Sequence, residues 1–376
     1  MPEEKTWKPL ELAKVTAQYL ATKGVPEAKL DAEILLCRAL GVRSRIELYA
    51  GFEAEISPRQ LADYREMVRR RAAREPVSRI LGEREFMGLA FSVTPSVLSP
   101  RPETEHLVEA ILEFLQPQKM ALPEEPAPEE SEPEGEAGMD QALESLLDKY
   151  AEDADSDDLD DEPPTQSEPQ KEMTLREAAR AGAWKKMQAG AAREARNTIS
   201  SQQSGGEGIT VIDLGTGSGC IAASVAAKLP VARVIATDLS EDALRTAQEN
   251  IRALGLAERV ALRRGAWYEA CRDGEEFDVI ASNPPYLVEG DEEIWPEVKQ
   301  YDPALSLYGG DDGLDCYRDL AAGAGQRLKR GGKIFLEVGD GQAPFVAELL
   351  RNGGLDEIAI LKDYAGIERV VVGTKV

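Results

Sequence analysis

The stretch Ile209-Thr210-Val211-Ile212-Asp213-Leu214-Gly215-Thr216-Gly217-Ser218-Gly219 reads as a buried β-strand running into a loop with glycine at alternate positions. The helical stretch Cys220 to Leu229 follows at once. Glycines in that pattern let backbone approach a ligand closely. A second strand, Arg233 to Thr237, ends in Asp238, 19 residues beyond Gly219, where a carboxylate can bind two ribose hydroxyls. The unit is therefore a candidate nucleoside-cofactor site. Outward from it, Arg259 to Leu262, Phe277 to Ser282, Lys333 to Val338, Glu357 to Leu361 and Arg369 to Val372 supply the remaining strand candidates. Seven strands alternating with helices predict a doubly wound α/β sheet.

The glycine pattern alone fits NAD about as well as S-adenosylmethionine. The dinucleotide fingerprint Gly-x-Gly-x-x-Gly is not matched: the third glycine comes one residue early, and a pyrophosphate would lack its cradle at the helix start. S-adenosylmethionine has no pyrophosphate. The fourth strand of the sheet runs straight into Asn283-Pro284-Pro285-Tyr286. Proline carries no backbone donor, so two of them stop the ladder and leave a rigid turn. The Asn283 side-chain oxygen and the Pro284 carbonyl can each accept one N–H of a planar amide or amine, while the Tyr286 ring packs on its flat face. By itself the tetrapeptide also fits an ordinary proline turn. Joined to the glycine loop about 70 residues upstream, it reads as methyl transfer to nitrogen.

These motifs, with Arg74-Glu75-Pro76-Val77, Leu81-Gly82-Glu83-Arg84-Glu85-Phe86 and Ser99-Pro100-Arg101-Pro102-Glu103-Thr104-Glu105, resemble the release factor glutamine methyltransferases, also called HemK or PrmC proteins. The resemblance covers nearly everything outside residues 117–207. Many nitrogen methyltransferases share the Asn-Pro-Pro-Tyr turn, but the Arg-Pro-Glu-Thr-Glu element after a Glu-Phe hairpin is characteristic of this family and its nearest relatives. The resemblance implies a class I, Rossmann-like methyltransferase fold whose last strand is antiparallel. It also implies methyl transfer from S-adenosylmethionine to the side-chain amide of the glutamine in the Gly-Gly-Gln motif of peptide chain release factors.

By the same resemblance, Gly215, Thr216, Gly217, Ser218 and Gly219 surround the methionine part of the cofactor, Asp238 binds its ribose, and Trp267 lies along the adenine. Asn283, Pro284, Pro285 and Tyr286 hold the substrate glutamine, with Asn283 also beside the cofactor. One position departs from the family. Gly265-Ala266-Trp267 offers no acidic side chain before the aromatic to accept from the adenine amino group. Adenine would then depend on stacking and backbone contacts.

An amide nitrogen is a poor nucleophile because its lone pair is delocalised into the carbonyl, so positioning is most of the catalysis. As the nitrogen attacks it gains positive charge, which the fixed oxygens of Asn283 and Pro284 stabilise without reorganising. No catalytic histidine is required. The single histidine, His106, is expected to be a packing or surface residue. Glu103 and Glu105 are either helix N-terminal charges or contacts to the cofactor ammonium or the substrate backbone.

The 376-residue chain carries a formal charge of −25, yet residues 121–172 alone hold 20 acidic side chains against Lys149 and Lys171. Such a composition cannot bury enough apolar surface to order itself. The stretch belongs to an insertion, 117–207, in which Leu143, Leu146 and Leu147 have helical spacing and an Ala- and Arg-rich run predicts a helix over 173–196. Entering the sheet at the N-terminal end of a strand, the insertion is expected to lie away from the cleft; it is either a tolerated surface insertion or an acidic tract that meets a basic partner or the basic helix of the same insertion. The rest of the chain is only mildly acidic, which argues against direct binding of nucleic acid. Cys37, Cys220, Cys271 and Cys316 have neither zinc nor disulfide spacing, so no metal is expected. With no run of about 18 apolar residues and no leader pattern, a cytoplasmic enzyme without membrane contact is expected, acting as a monomer.

Residues 1–80 read as a small helical domain, with helices over Leu10 to Thr22, Pro26 to Leu40 and Ser57 to Arg74. By resemblance this domain helps recognise the protein substrate. Arg69-Arg70-Arg71 with Arg74 is either a solvated helix face or a surface for an acidic partner. Within a connector, 81–98, a hairpin from Glu85 to Val93 turning near Gly88 joins this domain to the catalytic one, 99–116 and 208–376. Three other functions share the motifs: glutamine methylation of a ribosomal protein, amino-group methylation of DNA or RNA, and a catalytically silent binding scaffold.

Overall fold

In a computed structural model the chain is described over residues 7–42, 44–50, 55–116, 208–290 and 295–376. The acidic insertion, and with it the helix expected over 173–196, lies outside the described residues.

The N-terminal helices run over Pro9–Thr22, Ala28–Leu40 and Pro58–Ala72. Ser57 caps the third: its hydroxyl accepts from Gln60 N at 3.3 Å while the Gln60 side chain accepts from Ser57 N at 3.0 Å. Leu20, Leu35, Leu36, Leu48 and Tyr64 are fully buried among them. Two further helices, Arg45–Ala50 and Val77–Leu81, were not expected, because one turn of chain is too short to show a period. The hairpin strands are β1 (Glu83–Phe86) and β2 (Leu89–Ser92), two residues earlier than expected at the first strand, with the turn at Met87-Gly88.

The basic cluster is neither a solvated face nor free for a partner. Arg71, 8 % exposed, pairs with Asp31 at 2.7 Å, and Arg74 pairs with Glu297 of the catalytic domain at 2.6 Å. Arg70 pairs with Glu75 at 2.5 Å, and only Arg69 stays on the surface, beside Glu66. Glu297 therefore joins the two domains while lying almost out of water. Glu297→Ala would leave the largely desolvated Arg74 guanidinium without its carboxylate, and it is expected to lower the free energy of urea unfolding by roughly 3 kcal/mol.

The remaining strands are β3 (Thr210–Leu214), β4 (Arg233–Asp238), β5 (Val260–Arg264), β6 (Phe277–Ser282), β7 (Leu328–Glu337), β8 (Asp356–Lys362) and β9 (Glu368–Thr374). They form one seven-stranded sheet in the order β5-β4-β3-β6-β7-β9-β8. Alternate side chains of each strand enter opposite cores. Val211, Val279, Ala281 and Phe335 pack under the helices Pro102–Leu115 and Cys220–Lys228, while Ile212, Leu214, Ile280 and Leu336 pack under Asp315–Arg327 and Ala343–Asn352. Strand β9 is antiparallel to both neighbours, as the resemblance implies.

Strand β7 begins at Leu328, five residues before the expected Lys333. A register shift against β6 and the pair Gly331-Gly332 hide its first half from a pattern search. Strand order reverses between β3 and β6, which are parallel neighbours. At such a switch point the loops leaving the two strands diverge and open a crevice at their C-terminal ends.

Candidate active site

Strand β3 delivers Asp213 beneath the glycine loop. Its Oδ2 accepts from the Thr216 hydroxyl at 2.6 Å and from Ala222 N at 3.1 Å, which ties the loop to the helix that follows. Burial pushes the carboxyl up to about 7. The backbone amides of Gly215 and Thr216 both donate to Thr237 O, at 2.9 and 2.8 Å, so the loop is clamped to β4. Gly215, Gly217 and Gly219 all have positive φ, which a side chain would resist.

These glycines have different uses. Gly215, Thr216, Gly217 and Ser218 line a cavity of about 530 Å³. Gly219 is not in its wall: a Cβ there would lie 3.2 Å from the Ala247 Cβ, so it lets the Glu241–Ala253 helix pack closely.

Asp238, at the end of β4, lies in the cavity wall. Its Oδ2 accepts from Gly217 N at 2.9 Å and its Oδ1 from Ser240 N at 2.8 Å. Each oxygen keeps a further lone pair for a ligand hydroxyl. Desolvation raises its proton affinity, and the backbone donors oppose that rise. Trp267 also lines the cavity, with its ring edge 3.5 Å from where a Cβ of Gly215 would stand. The neighbouring Ala266 amide donates to the Glu269 carboxylate at 3.3 Å. That carboxylate is thus the acidic group nearest in sequence to the position where the family pattern has one.

Strand β6 is tied to β3 where the turn begins, since the Ser282 hydroxyl donates to Leu214 O at 2.6 Å. Next, the Asn283 side-chain nitrogen donates to the Thr104 hydroxyl at 3.1 Å. Its oxygen is thereby directed away from Thr104. Asn283 and Pro285 line the cavity, whereas Pro284 and Tyr286 do not.

Beyond the turn, Leu287 N donates to Leu307 O at 2.8 Å and Gly309 N to Leu287 O at 2.9 Å, a short parallel bridge. The Gln342 side chain spans the turn from behind, donating to Tyr286 O at 3.0 Å and accepting from Gly339 N at 3.0 Å. Glycine is needed at Gly309, Gly313 and Gly339 because a Cβ would come within 2.6 Å of Pro285 O, 2.4 Å of Tyr286 O and 3.0 Å of the Tyr286 ring respectively.

His106 lies 3.3 Å from Glu109 and stacks edge-on against Tyr364 with ring centroids 4.4 Å apart, outside the cavity wall. Glu105 accepts from Met87 N at 2.5 Å and so fastens the hairpin turn. Three site residues escaped the sequence reading. Thr104 is a small polar residue between two glutamates, Gln342 carries no local signal, and Glu337 shows in the sequence only as an acidic residue ending the apolar run Ile334-Phe335-Leu336.

Known proteins resemble this chain along most of its length. The PrmC N-terminal domain family matches residues 11–82, and the methyltransferase small domain family matches residues 196–298. The release factor glutamine methyltransferase of Geobacter sulfurreducens is 34 % identical over 359 residues, covering 95 % of this chain and 93 % of its own. The protein of the same name from Cereibacter sphaeroides is 33 % identical, covering 94 % and 93 %. That of Rhodopirellula baltica is 31 % identical over 371 residues, 97 % and 95 %. With relatives of that name 31–34 % identical over 94–97 % of the chain, it belongs to the release factor glutamine methyltransferase family.

Proposed function

We propose that the protein transfers a methyl group from S-adenosylmethionine to the side-chain amide nitrogen of the glutamine in the Gly-Gly-Gln motif of peptide chain release factors. The observation that carries this reading is the Asn283 amide, held by Thr104 at the edge shared by the cavity and the proline turn. Its side-chain oxygen and the Pro284 carbonyl are the two acceptors for the substrate NH2 group. Among the described residues, no donor of the chain meets that oxygen or that carbonyl. As the nitrogen becomes positive, these oxygens stabilise it without moving.

The cavity suits the methyl donor. A carboxylate braced on two backbone amides stands where ribose hydroxyls would bind, and a tryptophan ring stands beside the glycine loop. When bound, S-adenosylmethionine supplies an electrophilic methyl group on a sulfonium. Asp238 would hold the ribose, Trp267 the adenine, and the backbone of Gly215 to Ser218 the methionine portion. Asp238→Ala is expected to weaken S-adenosylmethionine binding by about 30-fold, roughly 2 kcal/mol, in calorimetry. An unchanged affinity would remove Asp238 from the ribose site.

No helix among the described residues is long and apolar enough to cross a membrane. A substrate that acts in translation supports a cytoplasmic location. The decisive experiment is mass spectrometry of a release factor incubated with the full chain and S-adenosylmethionine. One added methyl group on the Gly-Gly-Gln glutamine is the expected result, and an unmodified peptide would overturn the reading.

A further inference from the structure

Glu337 is the least explained residue near the turn. It ends β7 at 1 % exposure, with its Oε2 meeting no partner among the described residues. An acidic side chain in that position is costly unless something uses it. The hydroxyl of Thr104, itself 2 % exposed, is the neighbouring polar side chain that lowers the proton affinity of this carboxylate. The same hydroxyl oxygen accepts from the Asn283 side chain at 3.1 Å. The backbone at Glu337 is pinned as well, because the buried Tyr317 hydroxyl donates to its carbonyl at 2.9 Å.

The direction of the Asn283–Thr104 bond, with a carboxylate beside the same hydroxyl, has a chemical consequence. A threonine hydroxyl has one proton to give. An ionised carboxylate can only accept, so it commits that proton and leaves Thr104 able only to accept from Asn283. The Asn283 nitrogen must then face Thr104, and its oxygen must face the substrate. Without an obligate acceptor behind it, Thr104 can turn its proton toward Asn283, and the amide can flip. A flipped Asn283 would present NH2 to the substrate NH2, donor against donor.

We infer that Glu337 is a positioning residue which, acting through Thr104, fixes the amide of Asn283 with its oxygen toward the substrate nitrogen. The inference rests on the substrate-binding role proposed above for Asn283. Burial raises the Glu337 proton affinity to about 7, against which the Thr104 hydroxyl and the nearby Arg101 act. The other groups facing it are Glu103 at the start of the Pro102–Leu115 helix, Arg369 on β9, Tyr286 after β6, Cys220 and Tyr317. Because the pKa is raised, the ionised form is the costly one. The folded state loses stability as pH rises from the ordinary carboxylate range to about 7. Glu337→Gln is therefore expected to fold at least as stably as the wild type at pH 8.

Two readouts on the full chain test the inference. In methylation assays at saturating S-adenosylmethionine, Glu337→Gln and Thr104→Val are each expected to lose about tenfold or more in kcat with cofactor affinity unchanged, and Thr104→Ser to retain wild-type kcat. The kcat of the wild type is expected to fall on acidification below about pH 7, a limb absent in Glu337→Gln. Wild-type kcat in Glu337→Gln, or equal losses in Thr104→Ser and Thr104→Val, would overturn it.

The second readout needs no turnover. In protein labelled with 15N-asparagine, with Asn283 assigned by its loss in Asn283→Ala, one side-chain NH2 proton is expected to be protected from exchange. That protection should persist in Thr104→Ser and vanish in Thr104→Val and Glu337→Gln. Protection unchanged in Thr104→Val and Glu337→Gln would overturn the inference even if the chain methylated some other substrate. A wild-type chain that leaves release factors unmodified would instead count against the proposed function.

Discussion

Asn283→Ala is expected to lower turnover on a release factor by about 10²- to 10³-fold, roughly 3 to 4 kcal/mol, by analogy with removal of one oxyanion-hole donor. Here the sign is inverted: an acceptor is removed from a nitrogen that is becoming positive. The magnitude follows from preorganisation. Asn283 is held by Thr104 at 3.1 Å, and the strand before it is tied to β3 through Ser282, so the oxygen waits in place and pays no reorganisation during the reaction. Alanine leaves the Pro284 carbonyl as the single acceptor, and the substrate amide can rotate about it. The loss should therefore appear in kcat more than in cofactor binding, because the proposed ribose and base contacts are Asp238 and Trp267. Single-turnover methylation with excess enzyme separates this from slow product release. Unchanged turnover would refute the assigned role of the side chain.

The parts of this molecule legible in the sequence are those encoded by short-range pattern. Parallel strands buried on both faces appear as nearly continuous apolar runs, so β3, β4 and β6 and the helices between them could be placed. The glycine loop and the proline turn were readable for the same reason, since each is a local backbone constraint. Elements that depend on long-range pairing were not. The first half of β7 is strand only because Leu328 meets Phe277 across an irregular register. The arginine cluster resembled a surface until folding brought Glu297 to it from more than 220 positions away. Thr104 and Asn283 are 179 residues apart, and no local pattern announces that one orients the other. Gly219 shows the opposite error: a residue inside a ligand motif whose glycine serves helix packing.

Gly309→Ala is expected to cost roughly 10- to 10²-fold in turnover while leaving the fold and the affinity for S-adenosylmethionine close to wild type. Gly309 does not line the cofactor cavity, and its φ is not in the left-handed region, so alanine meets no backbone penalty there. The obstacle is steric. A Cβ would stand 2.6 Å from Pro285 O and 2.8 Å from Gly313 O, and both are backbone atoms that cannot swing aside. Relief requires the Asn-Pro-Pro-Tyr turn to move away from the Leu307–Gly309 segment by several tenths of an ångström. The bridge through Leu287 couples the two segments, so the shift is passed to Pro284 and Asn283. A displacement near 1 Å at reacting groups can cost about 10²-fold, which sets the upper end of the range. Gly325→Ala is the matched control. Its Cβ would lie 3.5 Å from Gly353 O in ordinary contact within the Asp315–Arg327 helix. That substitution is expected to raise stability by about 0.5 to 1 kcal/mol without changing turnover. Equal activity of the two variants would mean that the turn tolerates displacement, and that positioning of the amide contributes less to catalysis than the geometry of Asn283 requires.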